Sequence, residues 1–122
     1  MSIEQYKWKP FDELPLPPVE LQVLVALTGR ELHGYGIMKK IEKDAGSRVR
    51  TGTLHKTLVR MVDKGLVSPC KAPSHASSED QRRKYYRMTG KGARVKAAEL
   101  DRLEKLIELG RQHTEPKPGW SY

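Results

Sequence analysis

TGTLHKTLVRMVDKGLV, residues 51–67, is the stretch from which the rest of the chain can be read. Leu54, Leu58, Met61 and Val62 fall at i, i+4, i+7 and i+8, one apolar stripe of an α-helix, while Lys56, Arg60 and Lys64 project from other faces. Thr51, Gly52 and Thr53 stand at its start and Gly65 follows its last turn, so the segment carries its own start and stop signals. A helix with an apolar back, a basic front and sharp limits is built to be presented to something.

Upstream, Pro17 and Pro18 open a first helix that continues through Val19 to Thr28 with Leu21, Leu24, Val25 and Leu27, apolar enough to be buried on several sides. ELHGYG, residues 31–36, reads as a turn. A second helix runs from about Tyr35 to Asp44, with Ile37, Met38 and Ile41 inward and Gly46 at its end. The connection to the third helix, GSRVRTG, is short and basic. Two helices so joined, the second with a basic exposed face, fit a helix-turn-helix reader. Downstream of Gly65 come two strands separated by the polar tip KAPSHASSEDQ, the second strand marked by Tyr85 and Tyr86. Thr89 caps a long final helix over 90–111, where Val95, Leu103, Leu106, Ile107 and Gly110 lie close to one stripe. A helix of that length outruns a three-helix core, so its outer half calls for a second subunit. Residues 1–16, with Tyr6, Trp8 and Phe11 among charges and prolines, read as an extended arm, and 112–122 as an irregular tail carrying Trp120.

The chain has 122 residues and a net charge of +8. That length suits one domain, and that charge suits a polyanion. The charge is also local. Residues 45–62 hold Arg48, Arg50, Lys56 and Arg60, and residues 81–98 hold Arg82, Arg83, Lys84, Arg87, Lys91, Arg94 and Lys96, with no acid in either window. The single cysteine, Cys70, cannot form an intrachain disulfide, and no apolar run approaches the ~20 residues of a membrane span, so a cytoplasmic protein without membrane contact is expected. The four histidines lack ligand spacing, Ser68-x-x-Lys71 lacks its companion motifs, and Gly34-x-Gly36 lacks a third glycine. No metal, cofactor or catalytic set is expected.

LHGYGIMKKIEKDAGSRVRTGTLHKTLVRMVDKGLV followed by RRKYYRMTGKG resembles the PadR-like transcriptional regulators over roughly residues 20–92. The likeness lies in a His-Gly-Tyr turn, a Gly-Thr-Leu helix start, a Gly-Leu-Val helix end and a Tyr-Tyr strand running into Thr89. It implies a mainly α (α+β) fold, a winged helix-turn-helix over 17–89 with a two-stranded wing, and a single long dimerisation helix over 90–111. It implies a homodimeric regulator that binds double-stranded DNA, with a small-molecule effector, where one acts, at the dimer interface. Candidate DNA contacts are Arg48, Arg50, Thr51, Thr53, His55, Lys56 and Arg60 on the helix-turn-helix, and Arg82, Arg83 and Lys84 on the wing. The dimerisation stripe is Val95, Leu103, Leu106, Ile107 and Gly110. His55-Lys56 replaces the Tyr-Pro usual in the family, so a separate DNA preference is expected, and the final helix has no aromatic residue with which to stack a drug. The competing reading is a winged-helix module that binds a protein through its aromatic arm or final helix.

Overall fold

The computed structural model describes residues 7–113. Three helices, α1 (Pro18–Ala26), α2 (Gly34–Ala45) and α3 (Thr51–Asp63), pack around one core. Leu54, Leu58 and Met61 of α3 are buried against Val23, Leu24 and Leu27 of the first helical segment and Ile37 and Ile41 of α2, as the period requires. Thr57 is buried too; its hydroxyl is satisfied by donating to the Thr53 carbonyl at 2.8 Å. Val62 is only half-buried. The first helix is less enclosed than its composition predicts, for Val25 is 48% exposed.

Gly65 ends α3 in a left-handed turn, φ 75°. Its N–H donates to the Val62 carbonyl and that of Leu66 to the Met61 carbonyl, both at 2.9 Å, the paired bonds of a Schellman stop. Lys64, expected on the basic front of this helix, instead folds back: its ammonium donates to both oxygens of the buried Glu20 on α1, each at 2.9 Å. A buried carboxylate held this way fastens α1 to the end of α3.

Strands β2 (Val67–Cys70) and β3 (Tyr85–Met88) pair antiparallel, Val67 opposite Met88 and Cys70 opposite Tyr85. Pro69 is tolerated because β2 is an edge strand. The sheet has a third strand where the sequence reads as a turn. Leu32–His33, here β1, pairs with Tyr86 and Tyr85 on the other edge of β3, so the order is β1-β3-β2 and not a two-stranded wing alone. Two residues carry no alternation to detect; β3's open edge recruits them. The tip also has its own fixings. Gln81 donates to the carbonyls of Pro73 and Ala76 at 3.0 and 3.3 Å, beside a 3-10 turn at Asp80–Arg82.

Helix α4 (Gly90–Gln112) is capped by Thr89, whose hydroxyl accepts from the Gly92 N–H at 2.9 Å and donates to the Gly65 carbonyl at 2.6 Å. At 23 residues it spans about 34 Å. Val95 and Glu99 are buried against the body, while Leu106, Ile107 and Leu109 beyond them are more than half exposed. Val95, expected on the dimerisation stripe, belongs instead to its own chain's core.

The arm is not simply extended. Pro10–Glu13 forms a 3-10 turn lying on α4. Leu16 is buried, and its N–H donates to Glu99 Oε2 at 2.8 Å. Lys91 pairs with Glu13 at 3.1 Å and stands 5.1 Å from the centre of the Trp8 ring, with Arg94 at 5.7 Å. The expectations for Tyr6, for Trp120 and for the tail beyond His113 lie outside the described residues.

Candidate nucleic-acid interface

The helix-turn-helix presents α3 through a basic entry. Arg50 precedes its first residue with extended backbone, and the Leu54 N–H closes the first turn on the Arg50 carbonyl at 2.9 Å. Val49 is buried between two exposed arginines, which pins the linker and points Arg48 and Arg50 outward. Thr51, Thr53, His55, Lys56 and Arg60 are all exposed along the front of the helix. Among the described residues, Arg48, Arg50, Lys56 and Arg60 have no acidic partner. Phosphate could therefore take the place of their mobile counterions with no ion pair to break.

The wing stands beside this front. A cleft of about 420 Å³ lies between them, with Thr51 and His55 on the α3 side, Arg83 and Lys84 on the wing side, and Met38 and Leu54 among its apolar lining. The structure thus brings together four of the sequence-predicted residues in one cleft, while Lys56 and Arg60 lie along the open helix face and Arg82 at the wing tip. Arg82, Arg83 and Lys84 are exposed. Arg83 is not free: its Nε lies 3.2 Å from Asp80 Oδ1, so a phosphate contact would share or displace that carboxylate.

Tyr35 is the residue that the sequence reading left in a turn. It stands 51% exposed at the mouth of the cleft, with the Lys39 ammonium 5.5 Å and the Arg83 guanidinium 5.8 Å from its ring centre. Its position one residue into α2, off the Ile37–Ile41 stripe, was the available signal. Behind it, His33 caps α2: Nδ1 accepts from the Gly36 N–H at 2.9 Å, and the ring meets Tyr85 edge-on at 5.2 Å. Burial, then the Arg83 charge, hold the imidazole below its ordinary pKa, with Asp80 opposing them. That is the character of a structural cap.

The second basic window divides at the start of α4. Arg82, Arg83, Lys84 and Arg87 stay exposed on the wing. Lys91 and Arg94 hold the arm, and Lys96 donates to the Thr28 hydroxyl at 2.8 Å. Cys70 sits half-buried in β2, and burial raises its thiol pKa, which disfavours the reactive thiolate. Among the described residues there is no group of three or more metal-ligating side chains, and no helix is long and apolar enough to cross a membrane.

Residues 23–98 match the family described as transcriptional regulator PadR-like. Among solved structures, the chain is similar to a PadR family transcription regulator from Clostridium difficile at 22% identity, over 79% of this chain and 97% of that one, with a TM-score of 0.69. It is similar to a PadR-like transcription factor from Bacteroides fragilis at 26% identity, over 80% and 90%, TM-score 0.66. A PadR-like transcriptional regulator from Bacillus cereus gives 23% identity, 81% and 93% coverage and a TM-score of 0.69. No curated protein sequence matches significantly.

Proposed function

The chain belongs to the PadR-like family of transcriptional regulators, and on that premise we propose that it is a homodimeric repressor of a near-palindromic operator in double-stranded DNA. In this reading α3 enters the major groove, Thr53, His55, Lys56 and Arg60 reach base edges or phosphates, and Arg48, Arg50 and Thr51 hold the backbone at its entrance. Arg82, Arg83 and Lys84 of the wing take flanking phosphates or the adjacent minor groove. Residues 17–89 act as the DNA-binding unit and α4 as the dimerisation helix, through Leu103, Leu106, Ile107 and Gly110. An effector that enters between α4 and α1 would act by altering the spacing of the two α3 helices.

The observation that carries the reading is the run of exposed cations at the entry and on the front of α3, without ion-pair partners among the described residues, beside a cationic wing. A nuclease footprint on the protein's own promoter tests it. A protected near-palindrome with half-sites about one helical turn apart is the expected result. Lys56→Ala and Arg60→Ala should each weaken binding by about 1–3 kcal/mol where the side chain reads a base, and less where it meets phosphate, with an unchanged folded spectrum. Unaltered affinity in both variants would overturn the assignment of α3. Repression is tested separately: a reporter behind the protected site should rise when the protein is withdrawn.

The protein-binding module gains little from Trp8, which is half-buried and packed on its own chain.

A further inference from the structure

We infer that the N-terminal arm is part of the dimer interface, with Phe11 forming one wall of a groove that receives α4 of a second copy of this chain. The inference rests on the homodimer reading and adds to it a surface outside α4. Five of the eight large apolar side chains exposed among the described residues are Phe11 and four from α4, namely Leu100, Leu106, Ile107 and Leu109. Exposed apolar area is therefore gathered at one end of the molecule.

Phe11 is 69% exposed on the 3-10 turn, and a groove of about 460 Å³ lies between it and Ala98, Leu106 and Leu109 of α4. The turn is fixed and not merely adjacent. The Glu13–Lys91 pair holds it from one side, and the Leu16–Glu99 hydrogen bond holds the chain that follows. A preorganised aromatic wall loses little freedom on association.

The occupant follows from continuity and charge. Val95, Glu99, Arg102 and Leu106 lie at i, i+4, i+7 and i+11, one line down α4, and the chain's own body covers only the upper part of it. The groove also holds Asp101 and Lys105, neither with an ion-pair partner among the described residues. In an antiparallel two-fold pairing of α4 centred on Leu103, Asp101 of one copy would face Lys105 of the other, twice, which would make the groove complementary to itself.

Sedimentation equilibrium of the full chain, with Phe11→Asp, Phe11→Leu and Leu106→Asp compared with the parent, tests the inference. Phe11→Asp should raise the dimer Kd by about tenfold or more, Phe11→Leu much less, and Leu106→Asp at least as much as Phe11→Asp. A photoreactive phenylalanine analogue at position 11 should give a dimer-sized crosslinked band. A Phe11→Asp chain that dimerises like the parent, or crosslinks confined to the monomer, would overturn the role of the arm and leave the α4 dimer standing if Leu106→Asp still dissociates it. A parent chain that stays monomeric would remove both. Because Phe11 is exposed, loss of the fold is not expected, and circular dichroism of each variant checks this.

Discussion

Two residues show how narrowly the fold is held. Gly92 lies where a Cβ would stand 2.1 Å from the Leu66 carbonyl oxygen, closer than any side chain permits, so α4 can meet the end of α3 only through glycine. Gly92→Ala must push the start of α4 away from the Leu66 backbone and should destabilise the fold by about 3 kcal/mol, read as a lower denaturation midpoint. His33 acts through a proton. To accept from the Gly36 N–H, Nδ1 must be unprotonated, which leaves the proton on Nε2, 3.9 Å from Asp80 Oδ1. Because the native pKa lies below 6.5, the unfolded chain binds the proton first; the contribution is intact above about pH 6.5 and is lost as pH falls through the native value. Denaturant midpoints of the parent should therefore drop between pH 7.5 and 5.5 by more than those of His33→Asn, whose amide can cap without titrating. His33→Ala should cost about 1 kcal/mol at neutral pH. Equal pH slopes in parent and His33→Asn would remove the cap from the account.

Among the elements, α3 was legible because everything that makes it is local: an apolar period, a threonine-rich start and a glycine stop within seventeen residues. The N-cap of α4 was legible for the same reason. What surrounds those elements was not, because it depends on pairings far apart in the chain. Lys64 looks like part of a basic front until it meets Glu20, 44 positions away, and Lys91 looks like one more charge of the second basic window until it meets Glu13. Val95 shows the remaining limit: periodicity names a face of a helix but does not say which subunit covers it. The arm depends most on distant contacts, since the Leu16 N–H finds its acceptor 83 positions on. Glu99, buried, is held below its ordinary pKa by Arg102 and, more weakly, by the Leu16 N–H, against the opposing effect of burial. A depressed carboxyl contributes stability above about pH 4.5 and loses it as pH falls through the native value. Glu99→Ala removes the acceptor from a buried N–H and the partner from Arg102, and should cost about 3 kcal/mol. In a Trp120→Phe background, Trp8 emission should shift to longer wavelength in that variant at neutral pH, and in the parent only under acid. An unshifted Trp8 in Glu99→Ala would mean that the arm is held without it.

For the whole molecule, the decisive quantity is how much of a net charge of +8 reaches DNA. The ion pairs divide that charge unevenly. Lys40, Lys64, Lys91 and Arg102 are committed to carboxylates on the body or arm, and Arg83 is shared with Asp80. Arg48, Arg50, Lys56 and Arg60, with Arg82 on the wing, have no such commitment among the described residues, so the asymmetry of the field is greater than the net charge conveys. If about four of these cations per protomer neutralise phosphates, a dimer makes about eight contacts, and log K should fall with log salt at a slope of about −7. Arg48→Ala should lower the slope by about two per dimer, one for each copy, while leaving the order of preference among operator sequences unchanged. Lys56→Ala is the informative contrast. If Lys56 reads a base in place of the family's usual proline, its loss should relax preference at one position of each half-site. If it meets only phosphate, it should behave like Arg48→Ala. Competition titrations against single-base operator variants at two salt concentrations separate these outcomes. A slope near zero would rule out the cationic front as the source of affinity, because counterion release is the one contribution that those unpaired side chains cannot avoid making on contact with DNA.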